Sequence, residues 1–217
     1  MKYLIVCGGK TDKEFGLNEI KTDGIDAIIA ADSGMDFLYE NGVTPDIIVG
    51  DFDSATTKAL EFFERKGQTE IHRLNPIKDD TDTEYAIRLA IREGARSIVM
   101  LGATGSRIDH VLGNISLLGI GLESGTDISI IDTNNRIRMS DKPVTIEKSA
   151  QYGRFVSLIA VTDDNEVSLR GFKYPVTDYS FDRFTSLGIS NEIIDDYAVI
   201  DIHRGKFIII EFKRLTF

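Results

Sequence analysis

Short runs of consecutive apolar residues recur from residue 3 to residue 132: YLIVC at 3–7, IDAIIAA at 25–31, DIIVG at 46–50, SIVMLGA at 97–103 and DISIID at 127–132. Runs of this length, apolar at successive positions instead of alternating, predict strands buried on both faces, as in a parallel sheet. Helix-like stretches lie between them. The clearest covers residues 81 to about 93, where Thr81 and Glu84 stand at capping-box spacing and Ile87, Ala90 and Ile91 recur at helical intervals. Another is expected to begin near Asp109 and to align Val111, Ile115, Leu118 and Leu122 on one face. Strand, loop and helix in repetition predict an α/β domain of three layers with a mostly parallel sheet.

Beyond about Asn135 the pattern changes. RIRMS, PVTIEK, RFVSLIAV, EVSLRGF, YAVIDI and KFIIIEF are short runs rich in Val, Ile and Phe, separated by Asp, Asn, Gly and Lys turns, and no helical period persists. They predict a second, all-β domain, a sandwich. The polar, turn-rich junction TNNRIRMSDKP at 133–143 suits a boundary, giving domains at 1–135 and 136–217. The sequence carries no repeat of solenoid length and no low-complexity tract.

Composition narrows the function. A chain of 217 residues with 42% hydrophobic and 28% charged content is that of an ordinary soluble protein. The formal net charge of −10 argues against a nucleic-acid or anionic-membrane surface, which would need clustered Lys and Arg. Cys7 is the single cysteine, so an internal disulfide is excluded, and its place within YLIVC predicts a buried thiol in a reducing compartment. Gly8, Gly9 and Lys10 interrupt the N-terminal apolar run before it could serve as a signal core or membrane span, so a cytoplasmic setting is expected.

Acids sit where the apolar runs stop. AIIAADSG ends at Asp32, IIVGDFDS carries Asp51 and Asp53, and NPIKDDTD carries Asp79, Asp80 and Asp82. In an open parallel sheet the ligand crevice lies outside the carboxyl ends of the strands, so these acids would converge there. Carboxylates held close repel unless a cation lies among them, and Mg²⁺ takes carboxylate, water and phosphate oxygens. If GDFDS stays extended, Asp51 and Asp53 leave on one face. In KDDTDTEYA a helix start alone would account for acids; in the company of the others, Asp79 and Asp82 are expected to face the crevice and Asp80 to face water.

LGATGSRIDHVLGN, 101–114, reads as a glycine-containing turn between strand and helix. Such a turn lets amides approach phosphate oxygens at a helix N-terminus, and Arg107 adds a planar cationic fork. Thr104, Gly105, Asp109 and His110 flank it. SLGISNE, 186–192, is a polar turn of the second domain in which Ser190 and Asn191 offer donors and acceptors. GGKT at 8–11 is not a P-loop, because Leu4 stands where that motif requires glycine. Dinucleotide, zinc and nucleophile-elbow motifs are missing as well.

Taken in order, ADSG, GDFDS, KDDTDTEYA, GATGSRIDHVLGN and SLGISNE resemble the thiamine pyrophosphokinase family over nearly the whole chain. The resemblance implies an N-terminal α/β domain that binds ATP and magnesium, a thiamine-binding β-sandwich, and a homodimer with its active site at the subunit interface. It also implies transfer of pyrophosphate from ATP to the hydroxyethyl group of thiamine, releasing AMP. The matching residues carry the family's roles as expectations: Asp32, Asp51, Asp53 and Asp82 for Mg²⁺ and triphosphate, Asp79 close by, Arg107, Asp109 and His110 for nucleotide, Ser190 and Asn191 for thiamine. Asp79, Asp82 and Arg107 are the expected catalytic residues; the attacking alcohol loses its proton to Asp79, to Asp82 or late to a phosphate oxygen. Two departures stand out. Ser106 precedes Arg107 where relatives often have glycine, and the chain has no Trp for the aromatic contact some relatives make with thiamine. A metal-dependent phosphohydrolase and a non-catalytic nucleotide or thiamine-diphosphate sensor are the rival readings of the same acids.

Overall fold

The computed structural model describes residues 1–52, 57–75 and 80–213. The chain divides into two compact units, Met1–Thr133 and Asn134–Phe217. The first alternates β1 (Lys2–Val6), α1 (Lys13–Ile20), β2 (Ala27–Ala31), α2 (Gly34–Glu40), β3 (Ile47–Gly50), α3 (Thr57–Lys66), β4 (Glu70–Arg73), α4 (Asp82–Arg92), β5 (Ser97–Leu101), α5 (Ile108–Ser124) and β6 (Asp127–Ile131). Its strands are ordered β6-β5-β1-β2-β3-β4, and each neighbouring pair is parallel.

That order follows from right-handed crossovers. From β1 the chain steps outward to β2, β3 and β4, which places α1, α2 and α3 on one face. It then returns across the sheet to β5 and β6, which places α4 and α5 on the other. The order in which strands are added therefore reverses between β1 and β5, the switch point at which the loops on either side diverge.

The apolar runs behave as read. Leu4, Ile5, Val6, Ile29, Ala30, Ile48, Val49, Ile98, Met100 and Leu101 are all buried, because helices cover both faces of the strands. Along α4 the Thr81 hydroxyl accepts the Glu84 amide at 3.2 Å, as the capping spacing predicts, and Ala86, Ile87, Leu89 and Ala90 are buried. Ile91 is only partly covered, so the buried stripe runs through Leu89 instead. The helix at 108–124 ends at Gly125, whose φ of 72° is the left-handed C-cap conformation.

The second unit contains two antiparallel sheets. One is ordered β12 (Asn191–Glu192), β9 (Phe155–Ala160), β14 (Phe207–Phe212), β7 (Asn135–Ser140); the other β11 (Val176–Ser180), β10 (Glu166–Arg170), β13 (Tyr197–Arg204), β8 (Val144–Glu147). Inward residues of both, among them Val156, Leu158, Leu169, Ile200, Phe207 and Ile209, form one core. Alternating burial along β13 and β14 is the period of a strand with one face inward. A mixed α/β unit followed by a β-sandwich is thus the fold. Glu211 lies fully buried in this unit and is held by Arg136 through two contacts of 2.8 Å, by Arg138 at 3.0 Å and by the Tyr152 amide at 2.9 Å. Buried charge of this kind is tolerated only when paired so completely.

Candidate functional site

The carboxyl ends of β1, β2, β3 and β5 carry the loops that matter. After β1, the Gly9 amide donates to the Gly102 carbonyl at 2.8 Å, joining the loops on the two sides of the switch point. No side chain fits between them: a Cβ on Gly9 would lie 2.3 Å from the Gly102 oxygen and 2.5 Å from that of Thr104. Cys7 lies below, buried, its thiol pushed up to about 12 by desolvation, with the Thr83 hydroxyl 3.8 Å from Sγ. This is the inert, structural thiol expected from the sequence.

Asp32 follows β2 directly. Its φ of 50° is left-handed, and its amide donates to Val49 at 2.7 Å, fastening the turn to β3. Asp51 follows β3, and Asp82 opens α4. These three acids, distant in sequence, each offer a carboxylate oxygen within 4.8 Å of the others. Burial raises the Asp32 carboxyl above the usual carboxylate range, Asp82, Asp51 and Asp36 raise it further, and a hydrogen bond from the Ser33 amide opposes them. Asp32 Oδ1 is buried and has no hydrogen-bond partner among the described residues. A buried, unpartnered oxygen beside two further carboxylates is the donor set a hard divalent cation requires, so these residues fit Mg²⁺.

An extended GDFDS would send Asp51 and Asp53 out on one face. The backbone is not extended there: Phe52 has a φ of 62°, so spacing along a strand does not describe this turn. Asp53 and Asp79 lie outside the described residues. Asp80 is exposed.

The turn after β5 leads into the N-terminus of α5. Gly105, Ser106, Arg107, Asp109 and His110 are all exposed, while Thr104 donates to Asp132 Oδ2 at 2.9 Å and Asn114 ties the turn down by donating to Ala103 O at 2.8 Å. Arg107 reaches the Asp109 carboxylate with two nitrogens, at 2.6 and 3.3 Å. The pair holds Asp109 below the usual carboxylate range and the guanidinium above its own. The His110 amide also hydrogen-bonds the Asp109 carboxylate, so an anion arriving at this helix N-terminus must share both that amide and the Arg107 cation with Asp109.

In the second unit Ser190 is exposed with a φ of 62°, and its amide donates to Ser157 Oγ at 2.9 Å. Asn191 is buried, and its carboxamide ties down the Tyr174 backbone, accepting the Tyr174 amide at 3.1 Å and donating to the Tyr174 carbonyl at 2.9 Å, while the same Oδ1 accepts the Glu192 amide at 3.0 Å. Tyr174 remains 62% exposed, with Lys173 Nζ 5.5 Å from its ring centroid. Asp132, Asn114 and Tyr174 were not singled out in the sequence. Only the Tyr in GFKYP carried a signal, as an aromatic in a turn-rich stretch.

Residues 21–130 match the family described as thiamin pyrophosphokinase, catalytic domain, and residues 143–207 match thiamin pyrophosphokinase, vitamin B1 binding domain. A thiamine pyrophosphokinase of Bacillus subtilis (strain 168) is 35% identical over 184 residues, covering 84% of this chain and 85% of that one. The crystal structure of thiamine pyrophosphokinase from Bacillus subtilis superposes with a TM-score of 0.88 at 30% identity, covering 99% and 100% of the two chains. That of thiamin pyrophosphokinase from Geobacillus thermodenitrificans gives 0.86 at 28% identity, covering 100% and 99%. Acids gathered at the strand ends, the glycine turn at the switch point and these matches along both units agree, and the chain belongs to the thiamin pyrophosphokinase family.

Proposed function

We propose that this chain transfers the pyrophosphoryl group of ATP to the hydroxyethyl oxygen of thiamine, giving thiamine diphosphate and AMP. The observation that carries the reading is the convergence of Asp32, Asp51 and Asp82, with the orphaned Asp32 oxygen among them. These acids would hold Mg²⁺, with Asp53 expected as a further ligand from the family resemblance; the cation when bound neutralises charge on the triphosphate and on the group in flight. Asp32 is preorganised for this by its tether to β3, so the carboxylate need not be recruited from solvent.

The alcohol oxygen forms a bond to the β-phosphorus as the bond from that phosphorus to the bridging α–β oxygen breaks, and AMP leaves with the electron pair. The alcohol proton goes to Asp79, to Asp82 or, late, to a phosphate oxygen. Arg107, with Thr104, Gly105, Asp109 and His110 around it, receives the nucleotide at the start of α5 and draws negative charge toward the guanidinium. Thiamine is a cation, and a chain of net charge −10 attracts it. Ser190 offers its hydroxyl to thiamine, while Asn191 serves by fixing Tyr174, whose exposed ring is the apolar platform that a chain without Trp can provide.

A homodimer with the active site at the subunit interface belongs to the same proposal, as does a cytoplasmic setting. No helix among the described residues is long and apolar enough to cross a membrane. Phosphorus NMR of the protein with ATP, Mg²⁺ and thiamine tests the reaction. AMP and thiamine diphosphate in equal amounts are expected; ADP with thiamine monophosphate, or inorganic phosphate without thiamine, would overturn it.

A further inference from the structure

The turn that carries Asp51 rests on an unusual choice of residue. Phe52 adopts a φ of 62°, a region in which a bulky side chain is unfavourable and glycine would be expected. Something must hold it there. Its ring folds back over Gly50: a Cβ on that glycine would lie 3.0 and 3.1 Å from Cε1 and Cδ1 of Phe52, so the ring occupies the space a side chain would have filled.

Arg73 supplies the other side of the clamp. It is the register partner of Gly50 across the β3–β4 ladder, and the next amide, of Leu74, donates to the Gly50 carbonyl at 2.9 Å. From that position the guanidinium lies 5.3 Å from the Phe52 ring centroid. Glu64 on α3 forms an ion pair with the same guanidinium, so the cation is anchored as well as stacked. Phe52 in turn packs against the core of its unit. Thus Glu64, Arg73, Phe52 and Gly50 form one continuous stack that ends at the residue after Gly50, which is Asp51.

We infer that Arg73 is a positioning residue for the metal-binding acids: laid across Phe52, it holds the left-handed turn that delivers the Asp51 carboxylate to Asp32 and Asp82. Arg73 does not belong to the acid cluster. It acts by biasing the backbone of a ligand, and a cation over a ring suits that role because it grips without competing for the carboxylates. The inference rests on reading Asp51 as a metal ligand, so its test must separate the two.

The experiment is calorimetric titration of Mn²⁺ into the intact, metal-free protein without nucleotide, together with the KM for thiamine at saturating Mg²⁺. Asp51→Asn should abolish the Mn²⁺ heat; if it binds as the parent does, the site reading itself fails. With that loss established, Arg73→Met should weaken Mn²⁺ binding by about two- to fivefold. Arg73→Lys, which keeps a cation over the ring, should restore most of the affinity, and the thiamine KM should stay unchanged in both. Phe52→Leu keeps apolar bulk but removes the aromatic face, and should reproduce the weakening independently. Unaltered Mn²⁺ binding by Arg73→Met or Phe52→Leu, while Asp51→Asn has lost it, would overturn the inference alone. A thiamine KM that rises in parallel with the Mn²⁺ constant would also overturn it, since that marks general loosening of the unit.

Discussion

The Gly9 amide and the Gly102 carbonyl meet at 2.8 Å and so stitch together the loops that leave β1 and β5. The contact closes the floor of the switch point where the sheet's connections part. Because backbone atoms on both sides leave no room for a Cβ, Gly9→Ala forces the two loops apart. Overpacking of this sort costs about 1–3 kcal/mol. Thermal unfolding should register the loss as a lower melting temperature, and the KM for ATP should rise with it, whereas Gly113→Ala, in open space on α5, should leave stability near that of the parent.

Asp32 makes stability depend on pH in a direction opposite to that of an ordinary paired carboxylate. Burial, then Asp82 and Asp51, raise its pKa in the folded protein. The folded state therefore holds this proton more tightly than the unfolded chain does. Stability of the metal-free protein should fall as pH rises from the unfolded carboxyl value through the raised folded one, and the loss should be complete above it. A divalent cation bound at the ionised group should reverse this, so stabilisation by Mg²⁺ should grow with pH across the same window. Asp32→Asn should abolish that growth and reduce turnover about a hundredfold or more. Melting curves with and without Mg²⁺ at several pH values check both.

Arg107 is exposed and bound only to Asp109 among the described residues, an arrangement that contributes little to stability. Arg107→Met should leave the melting temperature unchanged. Its cost should fall on the nucleotide: kcat/KM for ATP should drop by about ten- to hundredfold, the range for a hydrogen bond to a charged group. Steady-state kinetics in ATP, with thiamine saturating, would read it.

Tyr174 and Asn191 should separate cleanly. Tyr174→Ala removes an exposed ring and should raise the thiamine KM about two- to tenfold with little change in stability, and Tyr174→Trp should restore it. Asn191→Ala strips two part-buried hydrogen bonds from the Tyr174 backbone and one from the Glu192 amide, so it should lower stability as well as raise KM. Comparing melting temperature with KM in the two variants distinguishes contact from support.

Much of this architecture is legible in the chain because a strand covered on both faces must be apolar at every position, as YLIVC and SIVML are. Where that condition fails, so does the reading. Strand β4, EIHR, is a polar edge strand with Glu70 and Arg73 exposed, and β11 exposes most of its residues, so neither gave an apolar run. The acids announced themselves by ending strands, but their geometry did not. Phe52 takes its left-handed turn because Gly50 and Arg73 make room for it and hold it, and nothing local in GDFDS encodes that. Thr104 meets Asp132 from 28 residues away, and Asn191 meets Tyr174 from 17, distances at which spacing carries no information.

The central claim is that the acids at the strand ends serve transfer of an intact pyrophosphoryl group. ATP labelled with ³²P at the β-position, incubated with the protein, Mg²⁺ and thiamine, tests it most directly. The account predicts label in thiamine diphosphate and none in AMP, with an α-label remaining entirely in AMP. Label at the β-position retained in ADP, or released as inorganic phosphate at a rate indifferent to thiamine, would contradict it.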